Sequence, residues 1–125
     1  MTFEVGTAAQ FTALHRQPVE GPEGELHSHS YRIEVVVGRD RLDARGMVCD
    51  LDLLNQAVRE AASKVDGQDL EAVRPPDAQA VTVEVLARWA HGFLAEAVRL
   101  AGGEALGVRV YESESEFGGY AGPVA

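Results

Sequence analysis

The sequence has little that suits an oxidising compartment or a membrane. It contains one cysteine, Cys49, so no disulfide can form within the chain. No apolar run approaches the roughly 20 residues that span a bilayer. The first residues, MTFEVGTAAQF, lack the basic start and apolar core of a signal peptide. We therefore expect a cytoplasmic protein without a membrane partner.

Basic residues are also few. The chain has 11 lysines and arginines against 20 aspartates and glutamates, a net charge of −9, and no cluster of basic side chains. Because this charge repels a phosphate backbone, we expect no nucleic-acid partner. A small anionic substrate is still compatible with the charge, since a metal ion or an arginine can reverse the field at a single site.

The remaining composition is that of a folded domain. The chain has 125 residues, of which 46% are hydrophobic and 25% are charged, and this length fits a single domain over residues 1–125. Alternating apolar residues predict a first strand over 3–14, and a β-branched run predicts a second over 31–37. Between them, residues 16–24 are rich in proline and glycine and predict a long loop of the kind that is usually functional or mobile.

Two helices and two further strands follow. Asp50 is a predicted N-cap for a helix that ends at Gly67, with apolar positions Leu51, Leu54, Val58, Ala61 and Val65. Thr82 is the predicted N-cap of a second helix, whose apolar stripe comprises Leu86, Trp89, Phe93, Ala97 and Leu100. Strands are predicted over 108–112 and 117–120. The order strand-strand-helix-helix-strand-strand indicates an α+β fold, with both helices on one face of an antiparallel sheet.

Three of the four histidines lie at the ends of the first two strands. His27 and His29 point to the same face because alternate side chains of a strand do so, and His15 ends the preceding strand. If the two strands are neighbours, the three imidazoles meet. A lone histidine on a strand is more often hydrogen-bonded or exposed, but this grouping favours zinc, whose catalytic sites commonly have three protein ligands and one open position. His91 has no such neighbours, and we interpret it as structural or exposed.

The motifs FTALH, HSHSY, GMVCDLDLLN, VTVEVLA and VRVYES occur in the order typical of the 6-pyruvoyltetrahydropterin synthase / 6-carboxytetrahydropterin synthase family. The chain resembles that family from residue 11 to residue 120. The resemblance implies the tunnelling fold, in which chains form rings, usually hexamers of two trimers with sites at subunit interfaces. It also implies a pterin-like substrate and zinc held by three histidines, which correspond to His15, His27 and His29.

The chain departs from the family at two positions that handle protons. The synthases have a cysteine four residues before the first histidine of H-x-H, where this chain has Glu23. We interpret Cys49, far along the chain, as a buried spacer. The family's aspartate-histidine pair after the first helix keeps its aspartate as Asp66, but Gly67 replaces the histidine. The candidate catalytic residues are therefore Glu23 and Asp66, and we expect a reaction other than the usual synthase reaction.

The substrate-binding candidates also come from the resemblance. The family's glutamate in V-x-V-x-E-T accepts two hydrogen bonds from the N–H edge of the pterin ring, and Glu112 matches it. Thr82 and Glu84 match the family's T-x-E motif. Ser113 replaces the usual threonine and keeps a hydroxyl. Without the resemblance, the run ESESE is better interpreted as an acidic turn.

Three functions stay open. In the first, the chain is a zinc-dependent lyase that cleaves a dihydroneopterin side chain to 6-hydroxymethyldihydropterin, with Glu23 as the base, as in family members with glutamate at this place. In the second, Glu23 is a solvated residue like Glu20 and Glu25, and a divergent zinc lyase acts on a related polyol or aldehyde. In the third, the chain is a catalytically inactive pterin-binding or structural oligomer. Retention of all three histidines favours a changed reaction, because zinc polarises an oxygen while a base removes a proton.

Overall fold

Four strands form one antiparallel sheet in the order of the sequence. In this computed structural model, which describes residues 2–17 and 19–125, the strands are β1 (Phe3–His15), β2 (His27–Arg39), β3 (Ala105–Tyr111) and β4 (Phe117–Pro123). Met1 and Pro18, the latter within the predicted loop, lie outside the described residues. β2 begins earlier than predicted, so the H-x-H pair belongs to the strand itself.

The register between β1 and β2 decides where the histidines lie. The two strands pair along all 13 residues of each, with His15 opposite His27, Ala13 opposite His29 and Phe11 opposite Tyr31. Opposite residues of an antiparallel pair share a face of the sheet. The register therefore places the three histidines at one end of the sheet and on the face that the helices cover.

The two helices begin and end with the signals that the sequence contains. α1 spans Leu51–Val65 and α2 spans Val83–Leu100. Asp50 and Thr82 cap them by accepting hydrogen bonds from backbone N–H groups of the first turn, which satisfies donors that have no partner inside the helix. Gly67 follows α1 with φ at +72°, a conformation that glycine adopts without strain. Both N-caps and the helix-ending glycine are thus confirmed.

The predicted apolar stripe of α2 is largely wrong. Only Leu86 of that stripe is buried; Trp89 is half-buried, and Phe93 and Leu100 are exposed. Besides Leu86, the buried residues of α2 are Ala87, Ala90, Leu94 and Val98. Alanines on this neighbouring face let α2 lie close against β3 and β4, where side chains pack at high density. Two adjacent faces of α2 are apolar, and periodicity alone did not distinguish them.

The core fills the space between the helices and one face of the sheet. Valines of β2 and β3 pack against leucines and valines of the helices, namely Val35, Val37, Val108, Val110, Leu54, Val58, Leu86 and Leu94. Each such side chain contributes about 1.5–3 kcal/mol when fully buried. Across the described part of the chain, neither helix combines the length and apolar character of a membrane span.

Candidate metal centre

The three predicted metal ligands converge at the end of the sheet. The ring centroids of His15, His27 and His29 lie 4.5 to 4.9 Å apart. Glu23 joins them from a short 3-10 helix, Pro22–Gly24, in the loop between β1 and β2. One ligand atom of each of these four residues lies within 4.8 Å of the others. The chain thus brings three imidazoles and one carboxylate to a single point.

Hydrogen bonding fixes the orientation of the His27 ring. Its Nδ1 lies 2.7 Å from the backbone carbonyl of Glu25. A carbonyl oxygen can only accept, so Nδ1 is the donor in this contact. In the neutral tautomer that has this proton, Nε2 presents a lone pair to the cluster, as in many metal-binding histidines. This Nε2 lies 3.0 Å from Nε2 of His29. Two nitrogens bound to one tetrahedral zinc are about 3.3 Å apart, so the observed spacing fits a shared ion.

His15 gives a further test of whether a metal fits. It is buried, and neither of its ring nitrogens has a hydrogen-bond partner among the described residues. Burial, reinforced by His27 and His29, lowers its pKa, while the Val81 backbone and Glu23 act in the opposite direction. The lowered pKa favours the neutral imidazole, which has a lone pair that can bind a metal ion. An unpaired buried nitrogen is unfavourable, so this residue fits a bound metal ion.

Glu23 forms the solvent side of the cluster. Its side chain is 62% exposed, and its Oε2 lies 3.3 Å from His27 Nε2. Glu20 and Glu25 are exposed and lie outside the four-residue cluster. Of the three glutamates in this loop, Glu23 alone is therefore placed both to meet a substrate arriving from solvent and to touch the histidines.

Glu112 lies beside Tyr31 at the same end of the sheet. The register sets Arg32 opposite Tyr111, so the residue after β3 neighbours Tyr31 across the strands. Glu112 is half-buried and lines an open cavity together with Tyr31, Arg32 and Tyr111. Burial, together with the charges of Glu112 and Glu23, raises the pKa of Tyr31 well above its usual range, which keeps the hydroxyl protonated.

Tyr31 was not singled out in the sequence, although a signal was present. It has the same strand parity as His27 and His29, which puts all three side chains on one face. Its ring lies 5.9 Å from the ring of His29 and 6.1 Å from that of His15. Tyr31 therefore belongs to the surroundings of the metal centre.

Asp66 lies apart from the histidine cluster. It follows the last turn of α1 and is exposed, and its Oδ1 accepts a hydrogen bond of 3.0 Å from the backbone N–H of Thr12. The next residue, Gly67, donates its N–H to the Thr12 carbonyl at 2.7 Å. These bonds attach the end of α1 to the outer edge of β1. The catalytic role of Asp66 stays a prediction.

Thr82 and Glu84 lie at the start of α2. The Thr82 hydroxyl caps the helix, and Glu84 is exposed in its first turn. The turn packs closely on Gly118 of β4, where an added Cβ would come within 2.7 Å of the Glu84 backbone nitrogen. Val81, whose backbone acts on His15, directly precedes this turn. The start of α2 therefore connects the metal centre with β4.

The remaining cysteine and histidine lie elsewhere. Cys49 is buried, and burial raises the pKa of its thiol, as does the nearby Asp50. His91 lies between α2 and β4, with Nε2 3.4 Å from the Gly122 carbonyl and its ring 4.9 Å from that of Tyr120. Within the chain, neither residue joins the metal centre.

Together the fold and the site define a protein with a three-histidine cluster that could hold a metal ion, built where a four-stranded antiparallel sheet meets the start of a covering helix. Residues 4–123 match the family described as 6-pyruvoyl tetrahydropterin synthase. The match extends over nearly the whole chain, so the chain belongs to this family. It is accordingly an enzyme of the pterin-synthase type.

Individual relatives agree with this assignment. A protein of Archaeoglobus fulgidus, named provisionally as a 6-carboxy-5,6,7,8-tetrahydropterin synthase, is 28% identical over 102 residues, which cover 80% of this chain and 88% of that protein. The chain also shares its fold with the 6-pyruvoyl tetrahydropterin synthase of Caenorhabditis elegans, at a TM-score of 0.72, 18% identity and coverage of 98% and 96% of the two chains.

A second structural relative is a variant of the Plasmodium vivax 6-pyruvoyltetrahydropterin synthase. It superposes at a TM-score of 0.80 with 14% identity, over 98% of this chain and 99% of that one. In this variant a catalytic glutamate of the Plasmodium enzyme is replaced by cysteine. These likenesses confirm the predicted tunnelling fold of four antiparallel strands and two helices.

Proposed function

We propose that the chain is a zinc-dependent lyase that cleaves the side chain of a dihydroneopterin-type pterin, with Glu23 as the base. The observation that carries the proposal is the contact of the Glu23 carboxylate with the three-histidine cluster. Glu23 occupies the position at which the family's synthases have cysteine. The catalytic glutamate of the Plasmodium vivax relative supports the use of a carboxylate in this family.

The chemistry divides between the cluster and Glu23. When bound by His15, His27 and His29, zinc would supply a Lewis acid for a side-chain oxygen. Glu23 removes the proton from the hydroxyl on the second side-chain carbon. The bond between the first and second carbons then breaks, and its electron pair forms a double bond between the first carbon and the ring carbon. The electrons of the ring's C=N bond move onto its nitrogen. The two-carbon fragment leaves as an aldehyde. Return of the proton from Glu23 to the first carbon restores the C=N bond and gives the 6-hydroxymethyl product.

Glu112 is the proposed anchor for the ring. A carboxylate can accept two parallel hydrogen bonds from the N–H edge of a 2-aminopyrimidinone. Its place beside Tyr31, on the histidine face of the sheet, supports a pterin that lies with its side chain toward the metal centre. Thr82 and Glu84 at the start of α2 are the further proposed substrate contacts.

Replacing Glu112 with glutamine tests the pterin assignment. Glu112→Gln keeps the shape but turns one acceptor into a donor that faces the ring's N–H edge. A buried mismatch of this kind costs about 1–3 kcal/mol, so we expect pterin affinity, measured by calorimetry, to fall about 5- to 150-fold. Glu116→Gln is the matched control, since it removes the same charge from the adjacent turn. If both variants bind like the parent protein, or if the parent binds no pterin, the pterin assignment fails.

We also propose that the chain forms a ring of identical subunits, a hexamer of two trimers, in the cytoplasm. β1 and β4 are the edges of the sheet, and residues 66–69 cover only the last part of β1. Unpaired edges of this length favour pairing with another chain. In such a ring, the exposed Asp66 of one copy would take its catalytic role in the site of a neighbouring copy.

The assembly is tested by mass in solution. Light scattering at low protein concentration is expected to give a multiple of the 13.4 kDa chain mass. The multiple expected for two trimers is six. A stable monomer would contradict both the edge-pairing argument and the shared site.

A further inference from the structure

Tyr31 carries a polar group that no described residue satisfies. The side chain is 2% exposed, and its hydroxyl has no hydrogen-bond partner among the described residues. Buried hydroxyls are nearly always hydrogen-bonded in folded proteins. An unpaired one at the edge of a proposed substrate site therefore calls for a partner that the described residues do not supply.

The position of Tyr31 narrows the choice of partner. On one side its ring stacks on Phe11, with centroids 5.2 Å apart and planes 18° apart. His29 lies two residues back on the same strand, and Glu112 lies across on the next strand. The usual backbone spacings for these two relations are about 6.7 Å and about 4.8 Å. Tyr31 thus stands between the proposed ring anchor and the metal centre. A pterin that bridges the two places its bicyclic ring over this side chain.

We propose that the Tyr31 hydroxyl donates a hydrogen bond to the ring nitrogen next to the carbon that bears the side chain. The inference rests on the proposed function, in which the ring lies between Glu112 and the histidines. In the cleavage, the electron pair of the breaking bond moves toward this same nitrogen. A donor there both orients the ring and stabilises the charge that develops on it.

A comparison of two ligands isolates this contact. The probes are 7,8-dihydropterin and its 5-deaza analogue, in which C–H replaces the ring nitrogen that Tyr31 is proposed to contact. Neither probe has a side chain that could reach the metal. Tyr31→Phe is expected to weaken dihydropterin binding about 10-fold and to leave binding of the deaza analogue unchanged. The four affinities, of two proteins for two ligands, form a double-mutant cycle that measures the contact between the hydroxyl and the ring nitrogen alone. Equal loss for both ligands, or loss for neither, overturns the proposal.

Controls separate this contact from a structural role and from failure of the proposed function. Tyr31→Phe keeps the ring stacked on Phe11, so we expect an unchanged or higher unfolding temperature, an unchanged solution mass and an unchanged zinc content. A lower temperature or mass would show that the hydroxyl serves the fold or an interface, and would overturn the proposal.

Tyr120→Phe, which removes a hydroxyl from β4 away from the site, is expected to bind both ligands like the parent. If the parent protein binds neither ligand, the pterin function itself fails. If the parent binds dihydropterin and Tyr31→Phe binds it with the same affinity, only this inference fails.

Discussion

His27→Ala is expected to lower the zinc content of the purified protein from about one ion per chain to a small fraction of that value, because it removes one of three imidazole ligands. His27 is the best of the three for this test. It is only half-buried, and its Nε2 lies in contact with both His29 and Glu23. Loss of a partner that merely orients a ligand weakens metal affinity about 10- to 100-fold, so loss of the ligand itself is expected to cost about 100-fold or more.

Elemental analysis and a competition titration with a chelator measure this effect. His91→Ala is the matched control, because it removes the fourth histidine, which packs on Tyr120 away from the cluster. Circular dichroism shows whether each variant folds. Zinc retained by the His27 variant, or absent from the parent protein, would contradict the metal centre. Equal zinc loss from both variants would instead indicate that zinc binds to histidines non-specifically.

Glu23→Gln is expected to lower turnover of 7,8-dihydroneopterin about 100-fold or more, as loss of a positioned base usually does. The amide has nearly the same size as the carboxylate but cannot accept the proton. Zinc content is expected to stay near that of the parent, since three histidines remain. Pterin affinity is also expected to stay near the parent value, since Glu112 is unchanged.

The same loop offers two controls for Glu23. Glu20→Gln and Glu25→Gln each remove one negative charge from exposed positions outside the cluster. Both are expected to turn over the substrate at nearly the parent rate, with formation of 6-hydroxymethyldihydropterin followed by chromatography. Equal behaviour of all three variants would show that Glu23 acts only as loop charge and would favour a divergent lyase. A parent protein that binds pterins tightly without turnover would favour a binding module.

The sequence by itself determined that three histidines meet at one end of the sheet, because the information was local. Alternation along a strand puts His27 and His29 on one face, and a single reversal of the chain returns His15 to them. The N-caps at Asp50 and Thr82 were equally predictable. Their side chains satisfy backbone groups only two or three residues away, so no distant contact is needed to define them.

Only the tertiary structure decided which face of α2 is buried. That helix has two apolar faces, and the buried one contains Ala87 and Ala90. The face with Trp89 and Phe93 stays partly exposed, because only small side chains fit where the helix lies close to the sheet. The same holds for Asp66, whose partner is the backbone of Thr12, 54 residues away in the chain. The surroundings of Tyr31 arise in this way too, since Phe11 and Glu112 reach it only through the pairing of three strands. Such choices depend on what lies across the packed interface, and a side-chain pattern along one element does not contain that information.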